Sequence, residues 1–254
     1  MGFFYGSYST PHICCVDAGH YLTTAGKETP PIDGKVIKEY QFNNEVKKYL
    51  LQALKRCGIG AFDVNPDSYD VSLTDRVKRA NALIKNSNDK LRICFVSVHY
   101  NAVDSDGKFE DNFKGGLEIY HYPNSVKGKS LSIFIHNYLK EGTKQTDRGI
   151  KSANFYVLRE TLMPAVLSEN GFMDCRFEAA LMLNEDFQIE VAEEHCKGIC
   201  DYFGNIYIEP APINRDKFMY IVQCGAFEKK ENALKLINEL KNAGFSSFLK
   251  FEKI

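Results

Sequence analysis

Four residues of this chain have side chains suited to holding a metal ion and moving protons: His20, Glu39, His99 and Glu169. Three of them stand where apolar, strand-like runs give way to polar residues. Val16 leads into Asp17 and His20, Val98 into His99, and Leu167 into Glu169. Glu39 opens a helical stretch, where a carboxylate suits the positive end of the helix dipole. Two imidazoles and one carboxylate are a common donor set for a zinc ion that keeps one position open for water. Such an ion acidifies that water and polarises a carbonyl, while a further carboxylate shuttles the proton. The set is suited to amide hydrolysis. Taken singly, each residue has a plainer use: a hydrogen-bonded or surface histidine, a helix N-terminal carboxylate, a solvated loop acid.

Other residues could serve such a site. Arg148 and Arg159 present planar guanidinium groups that match a substrate carboxylate, and structural salt bridges are an equal use for both. Asn101, two residues beyond His99, is placed to position the segment that carries it. A second metal group is conceivable at His195, Cys196 and Cys200, because Cys196 and Cys200 share a helix face and thiolates suit soft metals. The sequence offers no further ligand for it, and core-facing cysteines are the simpler reading.

The elements that must position these residues alternate between strand and helix. Strand-like runs cover His12 to Val16, Ile93 to Val98, Gly116 to Tyr122, Phe155 to Leu158 and Ala165 to Leu167. Helical periodicity covers Glu39 to Cys57, Leu73 to Lys85, Leu131 to Leu139 and Asn184 to Phe203, with Gly58 as a stop signal after the first. This alternation predicts an α/β fold: a mixed, mainly parallel sheet covered by helices on both faces. In open sheets of this kind ligands bind beyond the carboxyl ends of the strands, so adjacent strands would bring His20, His99 and Glu169 into one crevice.

Residues 205–216 contain Pro210 and Pro212, lack periodicity and read as a linker after a domain spanning 1–204. The remaining 217–254 read as one small β-α-β unit: a strand at Met219 to Gln223, a helix at Glu231 to Ala243 and a strand at Ser247 to Phe251. It holds seven lysines against four acidic residues. The chain as a whole carries a formal charge of -1, which gives no electrostatic ground for a nucleic-acid partner. No stretch approaches the length of a membrane span. Cys14, Cys15 and Cys94 lie in apolar runs, where thiols act as small hydrophobes, and the eight cysteines read as reduced.

Asp17-Ala18-Gly19-His20, the segment around Glu39, Arg76 to Asn81, and Ser97-Val98-His99-Tyr100-Asn101-Ala102 form a series of short motifs. Together with Gly116 to Tyr120, Arg148-Gly149-Ile150-Lys151 and Phe155 to Phe172, they resemble the zinc N-acetylmuramoyl-L-alanine amidases of bacteria and their phages. They occur in the family's order and cover residues 12–203. The resemblance implies that His20, Glu39 and His99 bind Zn2+ and that Glu169 is the catalytic acid/base. It also implies peptidoglycan as substrate, cut between N-acetylmuramic acid and the L-alanine of the stem peptide, as in an endolysin or autolysin. The family often has Gly after its first His, where this chain has Tyr21, a difference that bears on the cleft wall. The segment Tyr220 to Phe227, with Glu231-Asn232-Ala233 and Ala243-Gly244-Phe245, resembles the first half of a SPOR domain, a peptidoglycan-binding family. One half alone suggests a homodimer in which two such units complete one sheet. The opening Met-Gly-Phe-Phe-Tyr-Gly-Ser-Tyr has no signal-peptide pattern, which predicts synthesis in the cytoplasm and action on the wall after release. A zinc peptidase cutting within the stem peptide and a catalytically inactive wall-binding protein are the rival readings.

Overall fold

The structure is a computed structural model that describes residues 3–5, 11–85, 92–104, 106–110, 112–211, 227 and 229–244. The backbone divides into two compact units, Met1–Pro210 and Ala211–Ile254.

The first unit is built on a seven-stranded sheet in the order β1-β3-β2-β4-β7-β5-β6. Its strands are β1 (Phe3–Tyr5), β2 (His12–Ala18), β3 (Gly60–Asp63), β4 (Arg92–Asn101), β5 (Leu117–His121), β6 (Asp147–Ser152) and β7 (Ala165–Phe172). The pairs β2–β3, β2–β4, β4–β7 and β5–β6 are parallel, while β1–β3 and β5–β7 are antiparallel. The sheet is therefore mixed and mainly parallel, as the strand-helix alternation predicts.

Alternate residues of the central strands face two apolar layers, as the two-residue period of a strand requires. Cys14, Val16, Cys94, Val96, Val98 and Val166 meet α1 (Glu39–Arg56), α3 (Val126–Gly142) and α6 (Glu185–Phe203) in the larger core. On α1 the buried residues Phe42, Val46, Leu50, Ala53 and Leu54 recur at helical spacing and form its core face. The opposite sheet face, with Ile13, Cys15, Ile93, Phe95 and Leu167, is covered by α2 (Leu73–Lys85) and by α4 (Tyr156–Glu160) through Val77, Ala80, Val157 and Leu158. A four-residue helix, α5 (Arg176–Ala179), follows β7. Chain geometry is set by local signals: the Asn184 side chain caps α6 by accepting from Phe187 N–H, and Gly204 ends that helix with φ 77°.

Two expectations are corrected. Phe155 to Leu158 is not a strand: aromatic and β-branched residues suggested one, but Tyr156–Glu160 turns as α4, with Arg159 N–H bonded to Phe155 O. The strand beginning at Ala165 runs on to Phe172, and β4 runs to Asn101, so His99 and Glu169 stand in the last rungs of paired strands rather than beyond them. Strands β3 and β6 carry no apolar alternation that would announce them.

In the second unit the described element is α7 (Lys230–Asn242), which turns Ala233, Leu236, Ile237 and Leu240 to its half-buried side. The strands expected at 219–223 and 247–251, and the dimer edge they would form, lie outside the described residues. Among the described residues no helix is long and apolar enough to cross a membrane.

Candidate metal centre and active site

Strands β2, β4 and β7 are neighbours, and their carboxyl ends meet at one cleft of about 300 Å³. Its walls include His20, Lys27, Glu39, His99, Asn101, Asp104 and Glu169. Three donors converge there. Glu39 Oε2 lies 3.3 Å from His20 Nε2, and Glu39 Oε1 lies 3.1 Å from His99 Nδ1. One ligand atom from each of the three residues lies within 4.8 Å of the others. His99 and Glu169 are register partners across β4 and β7, which puts both side chains on one sheet face.

The backbone around His20 is shaped for this convergence. His20 has φ 61°, a left-handed conformation that costs free energy in a residue with a Cβ. It is held there by Arg76 of α2, a fully buried side chain that donates to His20 O (3.0 Å), Val71 O (2.8 Å) and Asp17 Oδ1 (2.8 Å). Gly19 lies directly under the His99 ring; a Cβ built on it would fall 2.2 Å from His99 Cε1. Any side chain at position 19 would push that imidazole away.

A layer of hydrogen bonds orients each ligand. Asn43 Nδ2 donates to Glu39 Oε1 (3.0 Å) and to Gly19 O (3.1 Å), and Tyr100 N–H also donates to Glu39 Oε1. Ser97 Oγ sits 3.1 Å from His99 Nε2 and donates to Asp17 Oδ2 at 2.7 Å. Asn170 Nδ2 donates to His99 O at 3.0 Å. Partners of this kind fix the ring and tautomer of a metal-binding histidine.

The electrostatics favour a cation. Burial lowers the His20 imidazole to about 4, so its lone pair is free at neutral pH. Burial works against ionisation of Glu39 too, but the hydrogen bond and charge of His99, the charge of His20 and the Tyr100 N–H together outweigh it, and the carboxyl falls to about 2. Burial likewise opposes charge on His99, yet Glu39 beside it lifts the imidazole above its ordinary value. Glu169 is pushed up to about 8 by burial, with the Glu39 charge adding to the effect. Its Oε2 is buried without a hydrogen-bond partner. A lone-pair nitrogen on His20, an ionised Glu39 and a second imidazole around an unsatisfied carboxylate make a donor set that fits a divalent ion such as zinc.

A family model described as N-acetylmuramoyl-L-alanine amidase matches residues 14–201, well over half of the chain. The chain belongs to that amidase family. The model of the SPOR domain matches residues 207–253. A sporulation-specific N-acetylmuramoyl-L-alanine amidase of Bacillus subtilis (strain 168) is 32% identical over 237 residues, covering 92% of this chain and 82% of that protein. The endolysin of Bacillus phage SPP1 is 38% identical over 195 residues, covering 73% of this chain and 64% of that one. Among solved structures, the catalytic domain of CwlV, an amidase of Bacillus (Paenibacillus) polymyxa var. colistinus, superposes with a TM-score of 0.64 at 31% identity. That match covers 76% of this chain and 98% of that domain.

Within this amidase, the structure brings His20, Glu39, His99 and Glu169 together and lines the same cleft with Asn101. Asn101 Oδ1 accepts from Ala102 N–H at 2.8 Å, shaping the chain just past β4. Arg148 lies beyond Glu169: it is bonded to Glu118, the register partner of Glu169 on β5, and its guanidinium packs over the Phe113 and Phe172 rings. Lys151 and the Tyr120 hydroxyl share that Glu118 carboxylate. Arg159 is held on α4 by Glu160 and Asn154, and it does not line the cleft. Tyr21, the residue that departs from the family pattern, tilts its ring against Tyr40, next to Glu39 in sequence. Sequence reasoning missed Asn43, Arg76, Ser97 and Asn170, and named Asp17 without its role as partner of Arg76 and Ser97. Arg76, Ser97 and Asn170 lay inside motifs that resembled the family, but nothing in their spacing told of a buried role.

Proposed function

We propose that this chain is a zinc-dependent N-acetylmuramoyl-L-alanine amidase, hydrolysing the amide between N-acetylmuramic acid and the L-alanine of the stem peptide in peptidoglycan. The observation that carries the reading is the meeting of His20 Nε2, Glu39 and His99 Nδ1 in a cleft that also holds the partnerless carboxyl of Glu169. His20, Glu39 and His99 hold the ion. When bound, zinc supplies a Lewis acid for the scissile carbonyl, a water of lowered pKa, and a positive charge that brings Glu169 down toward the neutral range.

Glu169 is the proton carrier: as a carboxylate it takes a proton from the attacking water, and as an acid it hands one to the departing amine of L-alanine. Ser97 holds the His99 ring, Asn170 holds its backbone carbonyl, and Arg76 keeps the turn that carries His20. Arg148, with Lys151, offers positive charge two strands beyond Glu169, suited to an anionic group of the substrate. The unit that resembles a SPOR domain holds the enzyme on glycan strands.

Turbidity of purified walls tests the whole reading. Walls should clear with the enzyme, stop clearing with a chelator and clear again on adding zinc. The soluble product should gain free amino groups on L-alanine while muramic acid stays intact. New amino termini on any other stem-peptide residue would make the enzyme a peptidase and remove the proposal.

A further inference from the structure

Three cysteines outside the cleft meet in space. Cys57 follows the last turn of α1, and Cys196 and Cys200 stand four residues apart on one face of α6. Their sulfurs lie within 4.8 Å of one another, and Cys57 Sγ is 3.7 Å from Cys196 Sγ. A metal–sulfur bond of about 2.3 Å in a tetrahedral site sets sulfurs about 3.8 Å apart, so this edge already has the right length. His195, the residue the sequence would add to the group, points elsewhere: its Nε2 meets Ser168 Oγ at 2.8 Å. Cys57, which the sequence did not connect with the others, is the missing third donor.

The surroundings favour sulfur as an anion. Ile208 N–H donates to Cys57 Sγ at 3.3 Å, a bond that stabilises a thiolate more than a thiol. The neighbouring Arg56 adds positive charge at the same sulfur. Cys196 and Cys200 are wholly enclosed, and Cys57 is 4% exposed, which makes it the sulfur an arriving ion meets first. Among the described residues, the other buried cysteines, Cys14, Cys15, Cys94 and Cys175, form no such group of three.

We propose that Cys57, Cys196 and Cys200 form a three-thiolate site for a soft d10 metal ion of the zinc class, separate from the His20, Glu39 and His99 cleft. Binding releases the thiol protons to solvent and joins the end of α1 to α6. The three sulfurs form no bond to one another in this state, and the site needs no oxidant.

Cobalt(II) tests it, because thiolate ligands give an intense near-ultraviolet charge-transfer band that imidazole and carboxylate ligands do not. Metal-free full-length protein, kept reduced, should take up two equivalents of cobalt, with the band growing on one of them, and zinc should displace both. Cys196→Ser and, as a check against misfolding of that buried variant, Cys57→Ser should each lose the band and one equivalent while keeping the weak visible bands of the cleft site. A single equivalent carrying the charge-transfer band would support the thiolate site while counting against the cleft. Wild-type protein that binds cobalt without the band overturns the proposal, as does a band that survives in both variants.

Discussion

Helix α1 is about 27 Å long, with Glu39 in its first turn and Cys57 just beyond its last, and each end gathers three potential ligands. At the Glu39 end the ligands come from three separate segments, and polar side chains such as Asn43, Arg76 and Ser97 hold them in place. The cleft there is open, and Glu169 faces it with an unmet hydrogen-bonding oxygen. At the Cys57 end two ligands come from one helix face, the surroundings are apolar core, and the sulfurs are closed off from solvent. Assembling donors is therefore not what makes a catalytic site. An open cleft and a buried carboxyl oxygen without a partner beside the donors distinguish the first end from the second.

The largest effect expected from breaking this contrast is at Glu169. Glu169→Ala should slow wall clearing by about 10²–10⁴-fold, the usual worth of a general acid/base, while metal content by elemental analysis stays at the wild-type level. Clearing at an undiminished rate would move the proton-carrying role to another residue. Next comes Arg76→Met, which leaves Asp17 buried without its ion-pair partner. Removing one member of a buried pair costs about 3–5 kcal/mol, measurable as a fall in the urea midpoint, and the cleft should lose metal affinity with it. If stability falls and metal affinity does not, the turn carrying His20 is held by something other than Arg76.

Gly19→Ala sharpens the same point more locally. Its methyl would meet the His99 ring, so metal affinity should drop by about 10–100-fold, the range found when the support of a ligand is disturbed, with little change in thermal stability. Calorimetric titration of the metal-free protein reads this directly. The smallest effect concerns Glu194 on α6, two residues before Cys196 and lying against Gly142 of α3. Burial raises its carboxyl to about 8, and its Oε2 has no partner. A raised carboxyl stabilises the fold below its unfolded value near 4.5 and loses that contribution as pH climbs through 8. Glu194→Gln should flatten this decline by about 1–3 kcal/mol, so that the variant gains on the wild type between pH 5 and pH 9 in denaturant titrations.

The sequence made the cleft legible because its four chemical residues sit at strand ends and a helix start, and periodicity identifies those elements. What it did not reveal follows from the same physics. Asn43, Ser97 and Asn170 act through hydrogen bonds that depend on register between strands and on how a helix is rotated, and neither is written in local spacing. Strand β6, Asp-Arg-Gly-Ile-Lys-Ser, lies at the sheet edge with its residues exposed or half-buried, so it carries no apolar signature. Helix α4 spans five residues, too short for a 3.6-residue period to show against aromatic and β-branched composition. Cys57 was separated from Cys196 by 139 residues, and only the packing of α1 on α6 joins them.

The Arg76 side chain also ties the shape of the cleft to a distant part of the chain. Its bonds to Asp17 and His20 O span 59 and 56 residues of sequence, so the turn bearing the first histidine takes its shape from α2 rather than from its own sequence neighbours. A zinc finger is organised by the ion it captures. Here the segments that carry the donors are tied to one another by protein hydrogen bonds from Arg76, Asn43 and Ser97.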